Sequence, residues 1–256
     1  EIPKVFPVDI FKKFKTKPMI GYDPKLFTNN MIRRYFGNTC NLVAVNKNLV
    51  DEVVLKKNKL NNISFYNLSS KITGESTNSK IKRLVSILQK NKIDNLFISA
   101  PENVAWLMNL RGKDNPNSPI PNCRAIVTKD KKVIIFSSEN KIIKIKNNTL
   151  YKKYIFKNFE EFFNVITNLK GINFSVDAMT CSIYFHSILS SLFKINYLID
   201  PCYKLKSIKN ENEIKHMEKA HIEDGAALTK FLFWLKNSNL KNINELYVIK
   251  KLEQFR

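Results

Sequence analysis

The sequence predicts an α/β fold in which helices flank a mixed sheet. Short apolar runs that end at turn residues alternate with amphipathic helical segments through the middle of the chain, which is typical of this fold class. Apolar residues form 44% of the 256 residues, so the chain can bury a sizeable core. No apolar run approaches the roughly 18 residues that a membrane-spanning helix needs, and we expect no membrane partner.

Residues 1–60 are predicted to be the C-terminal part of a first α/β domain. A short strand from Met19 ends in the turn Asp23-Pro24. Thr28 can cap a helix over 29–36, and the alternation over 41–45 is typical of an edge strand. The region is too short for a core of its own. Because it also lacks an initiator Met, we expect the sequence to begin inside a longer protein or after processing.

Residues 61–203 are predicted to form a second α/β domain. Its polar start, 61–78, is interpreted as a linker or a surface loop, and Ser79 as the N-cap of a helix that runs to Lys90. The elements predicted after it are a strand over 96–99, a helix over 102–110, a hairpin with strands 125–128 and 133–137, a helix over 158–169, a strand over 172–177, a helix over 182–192 and a strand over 196–199.

Residues 204–256 are predicted to form two helices of an incomplete domain. Asn210 and Glu213 have the spacing of a capping box, and apolar residues at helical spacing continue to about residue 237. A second helix is predicted to start at Asn242, with Glu245 as its box partner. Two helices cannot bury both of their faces, and the second has no stop signal, so we expect a missing partner domain.

The net charge of +21 raises the alternative of a basic nucleic-acid-binding protein. Only six of the 43 basic residues are Arg, the better reader of phosphates and bases, and the lysines are scattered without a run of five. The interpretation we favour is solvated surface charge, with no nucleic-acid partner.

The aromatic residues are interpreted mainly as core. Trp106 and Trp234 lie on apolar faces and are predicted to anchor the packing. The aromatic residues of 154–163 have Lys neighbours, which invites a base-stacking interpretation. Their spacing fits a helix packed on a sheet better.

The four cysteines are Cys40, Cys123, Cys181 and Cys202. They form no CxxC pair, and no two of them have the spacing of zinc ligands. We therefore expect free thiols in a reducing cytoplasm.

The histidines do not form a metal-binding pattern. His216 and His221 are five residues apart, about 140° around a helix, and so do not share a face. His216 is interpreted as exposed and His221 as a packed or interface residue. Neither of them, nor His186, is assigned a catalytic role.

The remaining polar candidates also have structural interpretations. Glu223 and Asp224 are neighbours on a helix and are interpreted as a solvated face. For Arg111 and Asp114 a substrate-facing loop is one interpretation; an ion pair or backbone hydrogen bonds that pin the loop is the one we favour. There is no Gly-x-Ser-x-Gly motif, and the six glycines form no phosphate-binding loop.

Several segments, in order, resemble aminopeptidase P, a metallopeptidase that cuts X-Pro bonds. Residues 20–24 (Ile-Gly-Tyr-Asp-Pro) resemble the end of its first domain. Residues 105–114 (Ala-Trp-Leu-Met-Asn-Leu-Arg-Gly-Lys-Asp) look like its middle-domain signature. Residues 205–210 with 220–226 are similar to the helix that opens its catalytic domain, and residues 245–256 to the next helix.

The resemblance implies two α/β domains of the creatinase/aminopeptidase P N-terminal type and a pita-bread catalytic domain that holds two divalent metals, usually manganese. The family's ligands are two Asp, one His and two Glu. None of them can be placed on this chain, so no catalytic, cofactor-binding or metal-binding residue is assigned.

We therefore expect an internal portion of a cytoplasmic Xaa-Pro aminopeptidase that is inactive by itself. Two Mn²⁺ are expected only for the full-length enzyme, and a peptide substrate only with the missing catalytic domain. The alternative is a non-catalytic interaction module that forms a homodimer or complements a separate catalytic polypeptide.

Overall fold

The computed structural model describes residues 6–45, 47–53, 64–115, 117–146, 149–238 and 244–256. The described residues form two compact units. The larger comprises the chain up to Leu68 together with Ser76–Ser207, and the smaller comprises Ser69–Glu75 together with Ile208–Arg256. The predicted division at residues 60 and 203 stays a prediction.

The helices and strands follow one another in an α/β order. In chain order they are α1 (Pro7–Phe11), β1 (Met19–Tyr22), α2 (Asn29–Tyr35), β2 (Asn41–Ala44), α3 (Leu49–Val53), β3 (Tyr66–Asn67), α4 (Ser70–Thr73), α5 (Thr77–Lys90), β4 (Asn95–Ile98), α6 (Pro101–Met108), β5 (Leu110–Arg111), β6 (Arg124–Thr128), β7 (Val133–Phe136), α7 (Glu139–Lys146), β8 (Ile155–Lys157), α8 (Phe162–Ile166), β9 (Asn173–Val176), α9 (Ile183–Ser190), β10 (Lys194–Tyr197), α10 (Pro201–Ser207), α11 (Glu211–Lys236) and α12 (Glu245–Phe255).

The predicted mixed sheet is confirmed. Six strands pair in the order β10-β9-β4-β6-β7-β8. β10, β9 and β4 run parallel to one another, β6 is antiparallel to both β4 and β7, and β8 runs parallel to β7. The parallel pairs are joined through helices, and the antiparallel pair β6–β7 is the hairpin that the sequence predicts.

Both faces of this sheet are covered, because successive side chains of a strand point to opposite faces. In β4, Leu96 and Ile98 join the core on one face, which α5 and α6 cover. Phe97 joins the core on the other face, which α8 and α9 cover. The central strands are therefore apolar at nearly every position and fully buried.

The N-terminal segment contains the strand, helix and edge strand that the sequence predicts, and also two short helices, α1 and α3, that it did not predict. β1 and β2 pair in parallel as a separate two-stranded sheet. The Thr28 hydroxyl accepts a hydrogen bond from the backbone N–H of Met31 at 3.2 Å and so caps α2. The predicted helix and its cap are both confirmed.

Two predictions around residues 61–90 are wrong. The cap of α5 is Ser76, whose hydroxyl accepts a hydrogen bond from the backbone N–H of Ser79 at 3.2 Å, so Ser79 lies inside the helix. The predicted linker contains β3 and α4, while its residues 61–63 lie outside the described residues. β3 pairs with β5, a contact between distant segments that has no local signature.

The segment from residue 139 to 169 also differs from the prediction. Its predicted helix over 158–169 is shorter, with a 3₁₀ turn at Phe159–Glu161 followed by α8. Here the sequence interpretation missed α7 and strand β8, and further along the chain it missed α10. β8 pairs in parallel with β7, a non-local contact that supplies the hydrogen bonds of a three-residue strand.

The smaller unit contains the two predicted helices. The Asn210 side chain accepts from the backbone N–H of Glu213, and the Glu213 carboxylate accepts from the backbone N–H of Asn210, both at 3.0 Å, which confirms the capping box. α12 begins at Glu245 with Asn244 as its N-cap, so Asn242, which lies outside the described residues, is not the cap. None of the helices described is long and apolar enough to cross a lipid bilayer.

Candidate functional site

The most site-like feature of the larger unit lies at the carboxyl ends of β4 and β9. These neighbouring strands are parallel, but the chain leaves them in opposite directions. β4 leads into α6 on one face of the sheet, and β9 leads into α9 on the other. Such a switch point opens a crevice outside the carboxyl ends of the strands, where open α/β sheets commonly bind ligands.

The crevice encloses about 390 Å³. Four parts of the larger unit line it: the N-terminal segment 25–31, the β4–α6 connection 99–102, Arg124 at the start of β6, and the β9–α9 connection 179–185. β6 is antiparallel to β4, so its first residue lies at the same edge as the ends of β4 and β9.

The N-terminal segment is bound to the start of α9 by its backbone. The backbone N–H of Ile183 donates to the carbonyl of Phe27 at 2.8 Å, and that of Tyr184 to the carbonyl of Pro24 at 3.0 Å. Thr28 forms an antiparallel bridge with Ser182. One wall of the crevice is therefore a segment far away in sequence.

Two cations line the crevice. The Arg124 guanidinium donates to the carbonyl of Cys123 at 2.9 Å and to the Asn122 side chain at 3.3 Å. Burial lowers the pKa of Arg124. The Lys25 ammonium lies 5.3 Å from the centre of the Tyr184 ring. Within the described part of the chain, neither cation forms an ion pair with a carboxylate.

A buried polar network beside the crevice fixes α6 and α10. The Asn103 amide donates to the Asp200 carboxylate at 2.7 Å, and the backbone N–H of Cys202 donates to its other oxygen at 2.9 Å. The Lys206 ammonium donates to the Asn103 side chain at 2.6 Å, and the backbone N–H of Asp200 to the Asp177 carboxylate at 3.0 Å. Burial raises the pKa of Asp200. These mutual bonds give the network a structural role.

The structure does not bring the histidines together. His216 and His221 are both exposed on α11, so the packed interpretation of His221 is wrong. His186 stacks on Tyr197, and one of its ring nitrogens lies 2.8 Å from the Tyr197 hydroxyl. Burial lowers the pKa of His186.

Glu223 and Asp224 lie on the solvated face of α11, as predicted. Their partners are Lys219, 3.8 Å from the Glu223 carboxylate, and Arg256, 2.7 Å from the Asp224 carboxylate. Exposed ion pairs of this kind contribute little to stability.

The loop around Arg111 and Asp114 is pinned by hydrogen bonds and an ion pair. The Arg111 guanidinium donates to the carbonyls of Ala105 and Leu110 at 3.0 and 2.8 Å. The Asp114 carboxylate accepts from the backbone N–H of Asn122 at 2.7 Å and forms an ion pair with Lys141. The pinning interpretation is therefore confirmed, with Lys141 as the ionic partner of Asp114.

The aromatic candidates serve mainly as packing. Tyr154, Phe156 and Phe162 are buried in the two cores, although Ile155–Lys157 is strand rather than helix. Trp106 is partly buried against the core, and Trp234 packs between the two helices of the smaller unit beside Tyr247. The four cysteines are free thiols and all are buried.

The described residues do not fit a metal pair. No three or more His, Cys, Asp or Glu side chains among them lie together as a group that could hold a metal ion. That no ligand of the family's metal centre lies in this chain stays a prediction.

Fold and family now agree. By fold, the larger unit is an α/β domain with a mixed sheet and a ligand-sized crevice. Residues 56–213 match the model of the creatinase/prolidase N-terminal domain, and the chain belongs to that family.

Full-length relatives carry the same sequence pattern. The chain is 31% identical over 264 residues to a probable Xaa-Pro aminopeptidase P of Pyricularia oryzae, an alignment covering 93% of this chain and 42% of that protein. It is 31% identical over 221 residues to Xaa-Pro aminopeptidase 1 of Dictyostelium discoideum, covering 83% of this chain and 34% of that protein. The chain thus spans well under half the length of these relatives, and the resemblance to aminopeptidase P is confirmed.

Solved structures share the fold. An X-prolyl aminopeptidase from Caenorhabditis elegans, described as a cytosolic enzyme with a di-nuclear active site, matches with a TM-score of 0.80 at 22% identity, covering 100% of this chain and 44% of that one. A Xaa-Pro dipeptidase from Bacillus anthracis matches with a TM-score of 0.52 at 17% identity, covering 70% of this chain and 48% of that one. At these identities the likeness establishes the fold alone.

Proposed function

We propose that this chain is an internal portion of a manganese-dependent Xaa-Pro aminopeptidase. In this proposal it supplies the end of the first domain, the whole second α/β domain and the first two helices of a pita-bread catalytic domain. The observation that carries it is the 31% identity over 93% of the chain to a probable Xaa-Pro aminopeptidase P. The proposal also holds that the chain contributes no metal ligand and is inactive by itself.

A chimeric enzyme tests this function. The matching region of the Dictyostelium discoideum enzyme is replaced by this chain, with the intact enzyme as the reference. We expect the folded chimera to release the N-terminal residue from X-Pro peptides in the presence of manganese. A folded chimera without that activity would contradict the proposal.

The isolated chain tests the second half of the proposal. It is assayed with the same peptides and added manganese, and we expect no product. Chelator-sensitive release of the N-terminal residue by the chain alone would show that it does contain a working metal centre.

A complementation module is the second candidate, favoured by the exposed apolar side chains of the smaller unit. Phe233 on α11 and Leu246 on α12 are each 71% exposed. Surfaces of this kind are typical of protein–protein contacts. The occupant we propose is a separately encoded catalytic polypeptide of the same family, and both would act in the cytoplasm.

Co-expression tests the second candidate. The chain is produced with the catalytic portion of the Dictyostelium discoideum relative, and we expect the two to co-purify. Phe233→Ser should weaken the association, while Lys230→Ser, an exposed polar change on the same helix, should not. Recovery of a homodimer or a monomer of this chain, with no catalytic portion bound, would refute this candidate.

A further inference from the structure

We propose that the crevice at the ends of β4 and β9 binds a small ligand through an oxyanion group, a carboxylate or a phosphate, held by Arg124 and Lys25. This inference is independent of the peptidase proposal, because it concerns binding in the larger unit alone.

The position and size of the crevice favour a ligand. It lies at the point where two parallel strands send the chain to opposite faces of the sheet. Its volume of about 390 Å³ is within the range of small-molecule sites. Its lining comes from strand ends, the connections that follow them and the N-terminal segment, all within the larger unit.

The charge of the crevice favours an anion. Arg124 presents a planar fork suited to an oxyanion, and its side-chain bonds go only to its neighbours Cys123 and Asn122 among the residues described. Arg124 is half-buried, so its guanidinium is partly withdrawn from water, and an anion would offer it further charge-assisted hydrogen bonds. Lys25, in the N-terminal segment, supplies a second positive charge to the lining.

Unused hydrogen-bonding capacity in the lining supports the same ligand. Ser182 lines the crevice and is 8% exposed, and its hydroxyl is buried with no hydrogen-bond partner in the described part of the chain. Buried polar atoms without partners are uncommon in folded proteins. The Ser99 and Thr180 hydroxyls also line the crevice and are hydrogen-bonded to each other at 2.6 Å.

One carboxylate in the lining opposes anion binding. Glu102 accepts a hydrogen bond from the Tyr203 hydroxyl at 2.9 Å, which holds it toward α10. Among the side chains that line the crevice, two cations stand against this one carboxylate, whose charge also acts on Arg124. The proposal therefore requires that neutralising either cation weakens anion binding, and that neutralising Glu102 strengthens it.

Titration calorimetry on the full chain at low salt tests the site, with inorganic phosphate and succinate as probes. We expect saturable binding of at least one probe, and the stronger one identifies phosphate or carboxylate as the preferred group. Arg124→Gln should weaken it about tenfold or more, the effect of losing a charge-assisted hydrogen bond. Lys25→Gln, at an exposed position, should also weaken binding of the probe.

Two further variants distinguish specific anion binding in the crevice from nonspecific attraction of anions to a basic protein. Glu102→Gln should tighten binding, and Arg34→Gln, an exposed Arg outside the crevice, should leave it unchanged. The proposal would be overturned if Arg34→Gln and Lys25→Gln lowered the affinity for the probe equally, or if neither probe bound saturably. If Arg124→Gln does not fold, the comparison of Lys25→Gln, Glu102→Gln and Arg34→Gln decides it.

Discussion

The Asp94 carboxylate accepts a hydrogen bond from the backbone N–H of Asn173 at 3.0 Å, and so joins the residue before β4 to the first residue of β9. The same carboxylate accepts from the backbone N–H of Ile172 at 2.9 Å and from the Lys129 ammonium at 2.8 Å. These bonds close the amino ends of the two strands whose carboxyl ends form the crevice. The amino ends of β4 and β9 are thus joined by hydrogen bonds, while their carboxyl ends lead apart into the crevice.

The Asp94 bonds make stability depend on pH. The hydrogen bonds from Lys129, Asn173 and Ile172 lower the pKa of Asp94 from 3.8 to about 2 in the folded chain. The stabilisation, about 2 kcal/mol, is therefore complete above about pH 5 and is lost as the pH falls through about 2. Asp94→Asn should lower the free energy of unfolding by about that amount at pH 6.

Urea unfolding followed by tryptophan fluorescence measures this effect. In a Trp234→Phe background only Trp106, in the larger unit, reports. The difference in unfolding free energy between the chain with Asp94 and its Asp94→Asn variant should shrink steadily between pH 4 and pH 2. A difference that stays constant over this range would show that the carboxylate's charge is not what stabilises the fold.

Gly171 cannot carry a side chain in this structure. Its φ is +98°, and a Cβ on it would lie 2.4 Å from the Cβ of Asp94. Gly171→Ala should therefore lower the free energy of unfolding of the larger unit by about 2 kcal/mol or more. The measurement is again urea unfolding reported by Trp106.

Gly225 offers the matched control for this substitution. It lies inside α11, and a Cβ there would meet nothing within 4 Å. Gly225→Ala should stabilise the helix by about 0.5–1 kcal/mol, because Ala loses less backbone entropy than Gly. Destabilisation by both substitutions would contradict the explanation based on local geometry.

The capping box should control the first turn of α11. Asn210→Ala removes the acceptor for the backbone N–H of Glu213 and the donor to the carbonyl of Thr73. We expect the free energy of unfolding to fall by about 1 kcal/mol and amide hydrogen exchange at the start of the helix to become faster. Asn212→Ala removes only a bond to the carbonyl of Lys71 and should leave this exchange nearly unchanged. Equal acceleration by both would argue against a capping effect.

The cysteines should be unreactive while the chain is folded. Burial raises the pKa of both Cys123 and Cys181 to about 12, and that of Cys202 is also raised by burial. The reactive thiolate is therefore scarce at pH 8. An Ellman titration should find no rapidly reacting thiol in the native chain and four in denaturant. One fast thiol in the native chain would contradict the packing.

The sequence alone was sufficient where the physical cause is local. Thr28 caps α2 and Asn210 caps α11 because a side chain reaches a backbone N–H three residues ahead. The β6–β7 hairpin follows from two apolar runs around a short turn, and the α/β class follows from their alternation with helices. The order of the motifs identified the family.

Only the tertiary structure decided features made by distant segments. Asp114 forms an ion pair with Lys141, which lies 27 residues further along the chain, and β8 forms by pairing with β7. Arg124 and Lys25 are far apart in sequence and meet at one crevice because β6 is antiparallel to β4 and the N-terminal segment crosses the start of α9. The spacing of residues along the chain does not predict such long-range contacts, because they depend on the order of the strands in the sheet.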